Sequence, residues 1–126
     1  MILADTSIWI DHLRLANPTL AGLLSKGLVV IHSFVIGELA MGSLKDRKLL
    51  VQSLSDLPAA RQAEDDEVLA FVEASKIHGR GIGYLDAHLL ASARLTAALL
   101  WTRDRRLSIV AKEMGLAAML PSGPIQ

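Results

Sequence analysis

Short apolar runs alternate along the chain with segments of helical character, and this alternation restricts the fold more than any other feature of the sequence. Residues 2–4 (Ile-Leu-Ala), 28–31 (Leu-Val-Val-Ile) and 97–101 (Ala-Ala-Leu-Leu-Trp) are continuous and apolar rather than alternating, as in strands buried on both faces. Residues 57–60 read as a short edge strand and 116–120 as a last short one. Between them lie helical stretches. One follows Asp5, with Thr6 or Ser7 placed to cap it and Trp9 and Leu13 on its core side, and Asn17-Pro18 breaks it. Others are expected near 20–26, from a Ser33 cap past Glu38, over 44–56, 64–78 and 84–96, and over 107–114 up to Gly115. The 64–78 stretch is acidic at its start and basic at its end, as a helix dipole prefers. Residues 121–126 read as a tail.

Strands separated by helices at this spacing need right-handed crossovers, hence parallel pairing and helices over both sheet faces. The expected fold is α/β, with a mostly parallel sheet of four to five strands. At 126 residues the chain fits one domain spanning 1–126.

Composition excludes several classes. With 52% hydrophobic and 21% charged residues the chain is not disordered, and its apolar surplus suits an oligomer. The absence of cysteine removes disulfide scaffolds, zinc fingers and thiol nucleophiles, and fits a reducing cytoplasm. No basic leader precedes Asp5, so no signal peptide is expected. The longest apolar stretch, LLASARLTAALLW, is interrupted by Arg94 and is shorter than the roughly 20 residues of a membrane span, so no membrane contact is expected. The Gly79, Gly81, Gly83 stretch lacks the preceding strand and the Lys-Ser/Thr of a P-loop, and reads as a plain loop.

In open parallel sheets ligands sit beyond the carboxyl ends of the strands. Asp5 ends the first run, Glu38 lies about one turn into the helix after the second, Asp86 opens a helix, and Asp104 follows Trp101 by three residues. Each alone is an ordinary cap or first-turn acid. Together they bring four carboxylates from distant parts of the chain to one edge. Glu38 and Asp86 are embedded in FVIGELA and YLDAHLL, where desolvation is expensive without a partner. Clustered carboxylates ionise together only around a cation or with raised pKa values. An all-oxygen set with no cysteine or histidine pair favours Mg²⁺ or Mn²⁺ over zinc. His12, His32, His78 and His88 share no metal-ligand spacing and receive no chemistry.

Asp5-Thr6-Ser7 after a first strand, Glu38 after the second, Asp86-Ala87 followed by Leu-Leu-Ala-Ser-Ala, and Thr102-Arg103-Asp104 after a late strand resemble the PIN-domain family. DTSIWIDHLR and GIGYLDAHLLASARL look like its VapC toxins of bacterial toxin-antitoxin pairs, over essentially the whole chain. The resemblance implies a three-layer α/β/α sandwich and a metal-dependent endoribonuclease toxin. It makes Asp5, Glu38, Asp86 and Asp104 the metal ligands, with Thr6, Ser7 and Thr102 in support. It also implies a VapB-type antitoxin, a homodimer and an RNA substrate. Thr102 would orient Asp104, and Arg103, Arg105 and Arg106 would hold RNA phosphates.

Zero net charge does not oppose this reading. With four acids committed to metal, nine remain against 13 Lys and Arg, a net +4 outside the site. Two rival readings share the α/β scaffold. A phospho-accepting signalling domain would need paired acids after the first strand and a late lysine, and a phosphatase of the haloacid-dehalogenase kind would need Asp-x-Asp where position 7 is Ser. A catalytically silent binding module would have lost an acid.

Overall fold

The computed structural model describes residues 1–121; of the expected tail only Pro121 falls among them. In chain order these residues form β1 (Ile2–Ala4), α1 (Thr6–Arg14), α2 (Pro18–Ser25), β2 (Val29–Val30), α3 (Ser33–Ala40), α4 (Arg47–Ser55), α5 (Asp65–Ser75), α6 (Tyr84–Thr96), β3 (Leu99–Trp101) and α7 (Arg105–Glu113). The sheet is parallel with order β2-β1-β3, Leu3 pairing with Val30 on one side and Leu100 on the other. Adjacent strand residues point to opposite faces, and Leu3 and Ala4, Val29 and Val30, and Leu100 and Trp101 are all buried. Both faces of the sheet are therefore covered, as the continuous apolar runs require.

The expectation of four to five strands needs correction: the described residues hold three. The segments at 57–60 and 116–120 continue the sheet at either edge by single bridges, Ile31 with Ala59 and Leu100 with Ala117. Each bridge keeps two backbone bonds around one residue. Ile31 N–H donates to the Pro58 carbonyl and Ala60 N–H to the Ile31 carbonyl; Leu100 N–H donates to Leu116 and Ala118 N–H to Leu100. Pro58 has no N–H to extend the first. The second begins one residue after Gly115, whose φ of +70° turns the chain out of α7.

Local chemistry shifts several expected boundaries. The cap of α1 is Asp5 itself, accepting from Ile8 N–H, rather than Thr6 or Ser7. Asn17 starts α2 two residues early, its Oδ1 accepting from Thr19 and Leu20 with Pro18 at the first helical position. His32, not Ser33, caps α3, its Nδ1 accepting from Phe34 N–H. Trp9 is buried as expected, but Leu13 is 38% exposed. No helix among the described residues is long and apolar enough to cross a membrane.

The chain leaves β1 toward β2 on one side and leaves β3 toward residue 117 on the other. The crevice between the carboxyl ends of β1 and β3 is thus the switch point of the sheet, where an open α/β fold receives a ligand.

Candidate active site

Asp5 stands at that crevice, directly after the central strand and 7% exposed, its N–H bound to the Trp101 carbonyl. Its Oδ1 accepts from the Ser7 hydroxyl at 2.5 Å and from Ile8 N–H at 3.3 Å. Burial raises its pKa, and these hydrogen bonds only partly oppose that. Ser7 also accepts from Arg103 N–H at 3.0 Å, tying the end of β3 to the start of α1.

Asp104 caps α7, accepting from Leu107 N–H at 3.0 Å, while its own N–H donates to Thr102 Oγ1 at 3.0 Å. Thr102 thus holds the Asp104 backbone through its Oγ1. On α3, Glu38 accepts from the Thr6 hydroxyl at 2.9 Å. Glu38 lies on the exposed face of its apolar run, so the desolvation expected for it is absent; the burial cost falls on Asp5 and Asp86.

Asp86, in the first turn of α6, accepts from Gly83 N–H at 3.1 Å. Its pKa is raised, first by burial and then by the carboxylates of Asp104 and Glu38, against the lowering effect of Gly83. The last turn of α3, the first turn of α6 and the cap of α7 thus place Asp86 in the field of Glu38 and Asp104, while Asp5 stands at the crevice with Ser7 on its carboxylate. Among the described residues no three such side chains are already gathered at ligating distance. The donor set is nonetheless carboxylate and hydroxyl oxygen throughout, and the mutual repulsion at Asp86 is what a hard cation relieves.

The arginines divide. Arg103 forms an ion pair with Asp11 of α1 and so braces α1 against the β3 end. Arg106 lies against Gly81, whose φ is +82° and where a Cβ would come within 2.8 Å of Arg106 Cδ and Nη1. Arg105 is exposed at the first position of α7. Arg80 pairs with Glu113 through two bonds of 3.0 and 2.8 Å, fastening the glycine loop to the far end of α7.

The histidines have more to do than their spacing suggested. His32 and His88 are buried, and Phe34 packs between them at ring-centroid distances of 4.9 and 4.8 Å. His88 Nε2 lies 3.1 Å from Asp65 Oδ1. The four-residue step from Tyr84 to His88 was the available signal for a shared helix face; the partners at 34 and 65 are distant in sequence. Burial, and secondarily His88, lowers the His32 pKa to about 4. An unfolded histidine binds its proton near 6.5, so between the two values the unfolded chain holds a proton that the folded one refuses. Stability contributed by His32 is therefore complete above the unfolded value and lost as pH falls from about 6.5 to 4. His32→Asn keeps a capping oxygen and removes this titration. Melting curves from pH 7 to 5 are expected to fall more steeply for wild type than for His32→Asn; parallel profiles would show that His32 does not titrate in this window.

A family profile described as PIN domain matches residues 2–113. The chain belongs to the PIN-domain family. The four candidate site acids, Asp5, Glu38, Asp86 and Asp104, lie within the matched residues. Ribonuclease VapC32, from two strains of Mycobacterium tuberculosis, is 45% identical over 118 residues, covering 93% of this chain and 95% of the relative. A chain from the structure of FitAB bound to an IR36 DNA fragment superposes with a TM-score of 0.58 at 20% identity, covering 89% of this chain and 91% of that chain. At that identity the match speaks to the fold alone. The resemblance carried by DTS, Glu38, DAHLLASA and TRD is borne out at the level of the family.

Proposed function

We propose that this PIN domain is a VapC-type endoribonuclease toxin, a single domain on a three-layer α/β/α scaffold that hydrolyses RNA phosphodiesters with Mg²⁺ or Mn²⁺. The observation that carries the reading is Asp86, half-buried and within the field of the Glu38 and Asp104 carboxylates, on a sheet whose switch point Asp5 occupies. The kinship with Ribonuclease VapC32 over 93% of the chain supports it. Asp5, Glu38, Asp86 and Asp104 would hold the cation. When bound, Mg²⁺ or Mn²⁺ supplies positive charge that polarises a phosphate oxygen and makes water acidic enough to attack near neutral pH.

The chain's own contribution is placement. Ser7 donates to Asp5, Thr6 donates to Glu38, Thr102 Oγ1 accepts from the Asp104 N–H, and Gly83 N–H holds Asp86. Of the three arginines, Arg105 is the one without a structural engagement described above, and it stands beside Asp104 as the first choice for an RNA phosphate. Arg103 and Arg106 reach the substrate only by giving up Asp11 and the glycine loop.

A VapB-type antitoxin and a homodimer complete the proposal. Met41 at 87% exposure, Leu49 at 64% and Leu15 at 62% leave apolar surface near the Glu38 helix for a partner helix to cover, and a basic side chain from it would answer the acids. The deciding experiment is cleavage of structured RNA by the purified chain. Cutting is expected with Mg²⁺ or Mn²⁺ and none with EDTA; equal cutting in EDTA would discard the metal-dependent reading.

A further inference from the structure

Away from the four acids, α6 is gripped by a second group of side chains. Tyr84 and His88, four residues apart, share one helix face, and Asp86 between them projects about 200° around the axis. On that face the Tyr84 hydroxyl donates to Asp65 Oδ1 at 3.0 Å, and His88 Nε2 meets the same oxygen at 3.1 Å. The two rings contact edge to face at 4.7 Å. His88 then packs on Phe34, and Phe34 on His32, which caps α3. A continuous set of contacts therefore runs from the first residue of α5, through the start of α6, to the start of the helix that carries Glu38.

We infer that Asp65 is a positioning residue of the nuclease site: by accepting from Tyr84 and His88 it fixes the rotation of α6 about its axis and hence where Asp86 stands relative to Glu38 and Asp104. The inference rests on the function proposed above. Its lever is short. A carboxylate about 5 Å from a helix axis moves about 1 Å for a rotation of about 10°. A misplacement of about 1 Å at a reacting centre can cost about a hundredfold in rate.

Two observations separate this role from an ordinary helix-start charge. Glu64, Asp66 and Glu67 already supply negative charge at the start of α5, so the dipole does not depend on Asp65. The Asp65 side chain is 81% exposed while that of His88 is 4% exposed, so removing Asp65 leaves a buried ring N–H without its acceptor, at a cost of about 1–3 kcal/mol that a domain of this size survives folded.

The test compares wild type with Asp65→Ala and Asp65→Asn, the latter keeping an Oδ1 acceptor without the charge. Mn²⁺ affinity is read by calorimetry, cleavage by gel, melting by heat denaturation, and backbone amide shifts by NMR without metal or RNA. Asp65→Ala is expected to lower Mn²⁺ affinity and cleavage by about 10- to 100-fold. It should stay folded and melt lower by several degrees, with amide shifts spreading to residues 83–87 and to Glu38, and Asp65→Asn should restore most of the loss. The inference is overturned if Asp65→Ala binds Mn²⁺ and cleaves as wild type does, if Asp65→Asn is as damaged as Asp65→Ala, or if the shifts stay within residues 63–68. Should wild type neither bind Mn²⁺ nor cut RNA while the shifts still reach Asp86, the nuclease reading is what fails, and the site role of Asp65 goes with it.

Discussion

Asp5→Asn and Asp86→Asn are expected each to lower metal-dependent RNA cleavage by at least about a hundredfold while the protein stays folded, the scale seen when a group that stabilises transition-state charge is removed. Both substitutions are nearly isosteric, and both keep the local hydrogen bonds that the acid makes for the fold. Asp5 caps α1 by accepting from Ile8 N–H, and asparagine caps a helix as well as aspartate does. Asp86 accepts from Gly83 N–H, which an amide oxygen can also do. What each variant loses is a negative charge at the crevice between the ends of β1 and β3, and with it the hold on a cation and the activation of water. Circular dichroism and melting establish that the variants fold; gel assays with Mg²⁺ or Mn²⁺ measure what remains. Near wild-type, metal-dependent cleavage by both variants would place the chemistry elsewhere on the molecule.

The positions of Asp5 and Asp104 past strand ends were legible because the rule that locates them concerns chain order and not distance: ligands gather past the carboxyl ends of parallel strands, and these two acids follow β1 and β3 closely. Strand existence was legible for the same kind of reason, since a continuous apolar run needs a doubly covered sheet. Pairing length was not. Whether 57–60 and 116–120 form ladders or single bridges depends on how the flanking turns deliver them, which hydropathy does not encode. Caps were mistaken where two acceptors adjoined. Ser33 is the commoner cap, but His32 Nδ1 is the atom that reaches Phe34 N–H. Hidden altogether were partners far apart in sequence. Arg103 looks free beside Asp104 until α1 brings Asp11 to it, and His88 looks idle until α5 presents Asp65.

The repulsion that suits the site to a cation should also be visible as lost stability. Burial first, then Asp104 and Glu38, raises the Asp86 pKa, so the folded protein keeps this proton to higher pH than the unfolded chain does. A raised acid works opposite to a salt-bridged one. Stability is full below the unfolded carboxylate value and lost as pH rises through the folded one, so near neutral pH the charged group burdens the fold. Asp86→Asn removes that burden, and the metal-free variant is expected to melt at or above metal-free wild type. Metal reverses the order. At about 100 times its Kd a ligand bound only by the folded state adds about 2.7 kcal/mol. For a chain of this size that is a shift of roughly 10 °C in wild-type melting. The variant, with one carboxylate fewer and weaker binding, should shift much less. Four melting curves near neutral pH, each protein with and without Mn²⁺, decide the matter. A metal-free Asp86→Asn that melts well below wild type, together with equal metal shifts in the two, would make Asp86 a structural helix-start acid and dissolve the shared site.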